Sequence, residues 1–187
     1  MRIPHVTIKY ICDWIATDAW GMKYKAAENV VTDYREVLAD PGVQAVLICV
    51  PTDLHPQFTI DAAEAGKDIF CEKPVGFNDE EILKALSVVK KTGVKFEVGF
   101  NRRFDKNFWR IVDHRENGDI GDEQVLKITS RDTEPPSMVY VKRYGGIFMD
   151  TTIPDFDIAR YISKVDVEQA LVNGNVRIDT EIRKAGD

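Results

Sequence analysis

A chain of 187 residues with 44% apolar and 30% charged side chains is long enough to bury a sizeable core, and that balance excludes a disordered or fibrous protein. Its 31 acidic residues outweigh 25 basic ones, giving a net charge of −6 with no long block of one sign. Nucleic acid and anionic membrane surfaces reward clustered Lys and Arg, so neither is an expected partner.

The N-terminal stretch carries Arg2, His5, Lys9 and Asp13, which interrupt any signal-peptide core, and no apolar run approaches the roughly 18 residues a membrane helix needs. Cys12, Cys49 and Cys71 each sit in an apolar run, are odd in number and lack C-x-x-C spacing. They read as buried free thiols of a cytoplasmic protein, with no metal site and no disulfide.

In chain order, Val6–Cys12 reads as a strand and Asp13 closes it. Ala45–Val50 is almost wholly apolar, as a parallel strand covered on both faces must be. His55-Pro56 opens a helix with proline where its missing N–H costs nothing, and Gly66 closes it. Asp68–Cys71 is a short strand. A helix follows from Asn78 to Thr92: Asn78 and Glu81 form a capping-box start, Gly93 a stop, and Ile82, Leu83, Leu86 and Val89 one apolar face. Lys90-Lys91 is a solvated helix end suited to the dipole. Lys95–Phe100 is the next strand candidate.

Strand and helix alternating at this spacing predict right-handed βαβ units and a parallel sheet. The rhythm then changes. A helix over 105–116 precedes Gln124–Ser130, which alternates like a half-exposed strand. A Pro135-Pro136 loop, a Gly145-Gly146 turn, a helix over 154–163 and a final strand over 167–178 complete the reading. The fold class is therefore α/β, with a parallel sheet over residues 1–100 followed by a second domain of mixed α+β rhythm over 101–187. His5 and His114 read as surface residues, and Trp14, Trp20 and Trp109 as packing.

Three places carry chemistry. Asp13 ends a strand where an acidic residue takes the ribose hydroxyls of NAD in a dinucleotide fold, although such an Asp is more often a turn residue or a helix cap. Val50–His55 lies between the carboxyl end of a strand and a helix N-terminus, where parallel sheets bind ligands. Glu72-Lys73-Pro74 leaves the next strand at the same edge, and an adjacent Glu and Lys there suit a sugar hydroxyl.

Ile11–Asp13, Pro51–His55, Ala65–Pro74, Gly99–Asp105 and Gly145–Tyr161, taken together and in this order, resemble the Gfo/Idh/MocA oxidoreductases, and within them the bacterial inositol dehydrogenases. The resemblance covers nearly all of the chain. It implies an N-terminal Rossmann domain that binds NAD, a cyclic polyol or sugar substrate held against an open C-terminal sheet, and homo-oligomers built through that sheet. Asp13 would match the adenosine ribose ligand and favour NAD over NADP. Pro51, Thr52 and His55 would line the cofactor, with Glu72 close to the nicotinamide ribose. Lys73 would be the catalytic lysine. Arg102 and Arg103 would reach toward substrate, and Asp150 and Asp157 would bind its hydroxyls, Asp150 also orienting the catalytic base.

The chain departs from that pattern in three ways. The family's proton-accepting His stands four residues after the position of Asp150, and here that residue is Pro154. General-base help is worth about 10²–10⁴ in rate. No G-x-G occurs among the twelve glycines, so the first Rossmann strand and its phosphate-binding turn have no counterpart. In the order 3-2-1-4-5-6 that strand is central, which leaves strands 2 and 4 facing a slot. The C-terminal sheet is also expected to be truncated. Three readings follow: a piece of a longer reading frame, a decayed gene product, or a sugar-binding or scaffold protein that kept the fold without the reaction. The substrate within the family stays open to an aldose or a dihydrodiol.

Overall fold

A computed structural model describes residues 4–15, 27–134, 136–141 and 145–175. Expectations placed on Trp20, Pro135 and residues 176–178 lie outside them. The elements run β1 (Ile8–Cys12), β2 (Ala27–Val31), α1 (Tyr34–Ala39), β3 (Ala45–Ile48), α2 (His55–Glu64), β4 (Asp68–Cys71), α3 (Asp79–Thr92), β5 (Phe96–Val98), α4 (Lys106–Glu116), α5 (Met138–Val141), α6 (Ile147–Asp150) and α7 (Ile153–Ser163).

All described strand pairs are parallel, and they form two sheets: β1 with β2, and β3-β4-β5. This is the break expected from a Rossmann sheet without its first strand. β1 and β2, at the places of the second and third Rossmann strands, pair with each other, β3 to β5 pair with one another, and no described strand joins the groups. The β1–β2 pair is tied to the larger body through Asp40, just after α1. Lys9 forms a 2.6 Å ion pair with its carboxylate and the Tyr10 hydroxyl donates to it at 2.8 Å. Lys67, almost wholly buried, donates to the Asp40 and Val43 carbonyls at 2.8 Å each, which fixes the same turn from below.

The main core lies on one face of β3-β4-β5. Strand period two turns Ile48, Ile69 and Cys71 toward Ala62 and Ala63 of α2 and Val89 of α3. The expectation that β3 is covered on both faces is corrected: Leu47, on its other face, is 73% exposed. An apolar strand signals burial, but burial needs an element to supply it, and among the described residues that face has none.

Helix α3 begins and ends as its sequence dictates. The Asn78 side chain accepts from the Glu81 amide at 2.9 Å, and Gly93 caps the other end at φ +74°, a backbone that favours glycine. Its inward face is different from the one expected. Ala85 and Val89 are buried, whereas Leu83 and Leu86 are exposed. Both faces of this helix carry aliphatics at near-helical spacing, and the small Ala85, not the larger leucines, fits against α2.

A second, smaller core joins Val112 of α4 to Ile158 and Ile162 of α7, with Phe108, Ile128 and Tyr161 around it. The strand expected over Gln124–Ser130 is absent, and so is strand structure over 167–175. Val125 is 87% exposed. Alternation describes a strand's two faces but supplies no partner, and a lone strand leaves every ladder group unbonded. Trp14 and Trp109 are exposed rather than packed, and Cys49 is exposed rather than buried. Cys71 is fully buried, and that burial pushes its thiol up to about 11.

Candidate functional site

The carboxyl ends of β3, β4 and β5 lie side by side because parallel pairing continues past the strands. Glu72 N–H donates to the Ile48 carbonyl at 2.9 Å and Gly99 N–H to the Cys71 carbonyl at 2.8 Å. Gly99 sits tightly: a Cβ there would stand 3.0 Å from Glu72 Oε2 and 3.2 Å from the Phe70 ring. The chain exits β4 through Glu72, Lys73 and a cis Lys73–Pro74 bond.

Lys73 reaches out of this edge to a segment 77 residues on. Its Nζ donates to the Asp150 carbonyl at 2.8 Å and to Asp150 Oδ1 at 3.0 Å, with both side chains largely shielded from solvent. Asp150 is delivered there by α6, which starts after Gly145 and Gly146. Gly145 has φ +79°, and a Cβ on it would fall 2.6 Å from the Phe77 ring, so only glycine lets this turn lie against the loop after β4. The Tyr140 hydroxyl bonds the same carboxylate; burial first, then that bond, raises its pKa.

The sequence-predicted Arg102 and Arg103 follow β5 and diverge. Arg102 pairs with Asp155, its second guanidinium nitrogen donates to Ser130 Oγ at 3.1 Å, and Ser130 in turn donates to Asp155 at 2.7 Å. Arg103 grips Asp157 with two nitrogens, Nε to Oδ2 at 2.8 Å, and stacks its guanidinium over Tyr161 at 5.1 Å. The Asp157 bond is the main cause that raises the Arg103 pKa. Both oxygens of Asp157 are thereby engaged by Arg103.

An open cleft of about 390 Å³ lies beside Lys73 and Asp150, lined also by Arg102, Ser130, Asp132 and Pro154. Ser130 and Asp132 are residues that sequence reasoning misses; the polar run 130–132 just before the proline loop is the available signal. Lys73, Arg102 and Arg131 bring cations to this cleft, and Asp132 and Asp150 bring carboxylates. A hydroxyl both donates and accepts, so a neutral polyhydroxylated ring can satisfy such a lining from all sides, whereas a phosphate or an ammonium would meet repulsion on one. Pro154, in the first turn of α7, presents no proton acceptor to it.

The remaining predicted residues divide. Asp13 stands at the carboxyl end of β1 and accepts from the Ile15 amide at 3.0 Å, a turn-capping bond that leaves its second oxygen without a described protein partner. Pro51 is exposed and Thr52 partly so, at the carboxyl edge after β3. His55 is turned inside, 2% exposed, with Nδ1 2.7 Å from the Pro74 carbonyl and Nε2 2.8 Å from the Val50 carbonyl.

Asp13 at the exit of β1, and Thr52, Glu72 and Lys73 at the exits of β3 and β4, are groups that can hydrogen-bond the ribose hydroxyls of a dinucleotide. The cradle of a glycine turn for the phosphates between them is not supplied by the described residues. Among them no group of His, Cys, Asp and Glu is placed to hold a metal, and no helix is long and apolar enough to cross a membrane.

Known proteins match this arrangement. Residues 8–100 match the model of an oxidoreductase family with an NAD-binding Rossmann fold, Gfo/Idh/MocA. The uncharacterized oxidoreductase YrbE of Bacillus subtilis is 47% identical over 188 residues, covering 100% of this chain and 55% of that protein. Myo-inositol 2-dehydrogenase of Thermotoga maritima is 46% identical, covering 89% of this chain and 50% of that protein. The crystal structure of a probable dehydrogenase from Thermotoga maritima superposes with a TM-score of 0.90 at 44% identity, over 96% of this chain and 55% of that one. The chain thus spans about half the length of the relatives it matches.

Proposed function

The chain belongs to the Gfo/Idh/MocA oxidoreductases with an NAD-binding Rossmann fold, and from that premise we propose that its site serves the NAD-linked oxidation of a ring hydroxyl on a cyclic polyol of the inositol type. The observation that carries this reading is the contact of Lys73 with the carbonyl and a carboxylate oxygen of Asp150 at the mouth of a cleft of mixed charge. NAD, when bound, would supply the hydride acceptor, and the hydroxyl proton would leave to water through the open cleft. Lys73 holds the reacting hydroxyl by its ammonium, and Asp150 keeps that ammonium in place and accepts from a neighbouring hydroxyl. Asp13 would hold the far ribose, and Pro51, Thr52 and Glu72 the near one. The division into a cofactor unit over residues 1–100 and a substrate unit over 101–187 belongs to this reading, with Lys73–Asp150 bridging the two.

Pro154 favours a second reading, a polyol-binding protein without turnover, because the cleft lacks a proton acceptor where the family keeps one. The test is titration of the purified chain with NADH and with myo-inositol by calorimetry, alongside NADH production from NAD and myo-inositol. Turnover supports the dehydrogenase. Polyol binding without turnover, with turnover restored by Pro154→His in a chain extended to the family's length, supports the second reading. Failure to bind either ligand overturns both.

A further inference from the structure

His55 does not present itself at the open edge of the sheet. Its ring is buried at the first position of α2, and the helix beneath it is locked into the core by Thr59, Ile60, Ala62 and Ala63, all buried. Both ring nitrogens are spoken for. Nδ1 lies 2.7 Å from the Pro74 carbonyl, in the loop that leaves β4, and Nε2 2.8 Å from the Val50 carbonyl, in the loop that leaves β3. A carbonyl only accepts and a neutral imidazole carries one N–H, so the ring donates to one of these carbonyls at a time, and the strut is the tautomer that donates from Nδ1 to Pro74.

From this geometry we propose that His55 is a positioning residue for Lys73: a strut between the two strand exits that fixes the Pro74 carbonyl and thereby the base from which the lysine side chain reaches Asp150. The proposal deepens the reading of Lys73 given above and rests on it. Pro74 is the residue next to Lys73, and its carbonyl is held by a buried ring, so the chain is anchored one residue beyond the lysine. The Lys73 side chain has four methylenes to place, and two acceptors on Asp150 hold only its tip. Without the strut the tip would be held while the base moved, and a displacement of about 1 Å at a reacting group is enough to cost a large factor in rate. The Val50 carbonyl, 2.8 Å from Nε2, bounds the ring's far end at the exit of β3. A cofactor-lining role would need a ring atom facing the cleft edge, and this ring keeps both nitrogens on backbone carbonyls.

Asparagine and glutamine separate the two bonds. The asparagine amide nitrogen overlays histidine Nδ1 and can keep the Pro74 bond, while glutamine's overlays Nε2 and can keep only the Val50 bond. The chain and its His55→Asn, His55→Gln and His55→Leu variants are labelled with trace acetic anhydride, and the rate at Lys73 is read by mass spectrometry relative to exposed Lys84 and Lys90. Thermal melts run alongside. His55→Asn keeps Lys73 protected as in the parent, whereas His55→Gln and His55→Leu speed its labelling by about fivefold, the factor expected for one lost hydrogen bond. Equal labelling in the Asn and Gln variants, protection tracking the melting temperature alone, or loss of folding in both amide variants overturns the proposal and leaves His55 a packing residue. A parent chain without NADH production sinks the dehydrogenase reading instead, and the labelling pattern still decides this one.

Discussion

Replacing Asp150 by asparagine tests whether the Lys73–Asp150 contact is an interaction of consequence or a surface ion pair. At the 3.0 Å separation between Nζ and Oδ1, two unit charges in an effective dielectric of ~20 attract by about 5–6 kcal/mol. Most of that is offset by the water each group gives up, since the two side chains keep only 26% and 20% of their exposure. A net of about 1–2 kcal/mol is the expected loss, above the ~0–1 kcal/mol of an exposed pair. The Asp150→Asn variant keeps the backbone carbonyl as an acceptor at 2.8 Å, so its loss should stop short of that for Lys73→Met. For a chain of this size the melting temperature should fall by about 2–4 °C per kcal/mol. The assay is urea unfolding of the parent, Asp150→Asn, Lys73→Met and the double variant, followed by tryptophan fluorescence. A coupling energy of about 1 kcal/mol is expected. Coupling within about 0.3 kcal/mol of zero would mean that the two residues are neighbours without being partners, and the reasoning that places them at one site would fail.

Asp40 gives a pH dependence with a definite sign. Lys9 above all, then the Gly42 amide and the Tyr10 hydroxyl, hold its carboxyl at about 2, below the roughly 3.9 of an unfolded chain. Its contribution is therefore present above about pH 4 and lost as pH falls toward about 2. Thermal melts of the parent and Asp40→Asn should differ at neutral pH and converge in acid, and a difference that grows in acid would contradict the assignment. In the smaller core, Ile158 is wholly buried against Val112 and Ile162, so Ile158→Ala should cost about 2–5 kcal/mol in urea unfolding, and a loss below about 1 kcal/mol would show that this cluster is not a core.

What is legible in the sequence is local. The caps of α3 rest on Asn78 and Gly93 alone, and both behave as their chemistry requires. Proline at the start of α2 and of α7 does the same. What lies next to a segment is harder to read, because neighbours are set by distant residues. Leu83 and Leu86 are as apolar as Ile82, yet only the closeness of α2 decides which side of the helix turns inward. The alternation at Gln124–Ser130 is that of a strand, but pairing needs a second strand that no residue within that stretch provides. In the site, family resemblance and not spacing is what connects Lys73 with Asp150. The companion pairings, Arg102 with Asp155 and Arg103 with Asp157, have a weak signal: adjacent arginines after one strand, and aspartates two apart at the start of a helix more than 50 residues later.

Among the described strands β3 has no partner along one edge, and that edge bears on how copies of this chain would meet one another. Ala45–Ile48 is uncharged, lacks proline and carries Leu47 outward, so none of the usual devices that blunt a strand edge falls within it. A row of amide and carbonyl groups beside an oily side chain is a template that another strand can extend. Repulsion from a net charge of −6 acts over a Debye length and weakens as salt is added, whereas backbone pairing does not. Colloidal stability is thus a contest between long-range charge and a short sticky edge, and concentrated, high-salt solutions are where the edge wins.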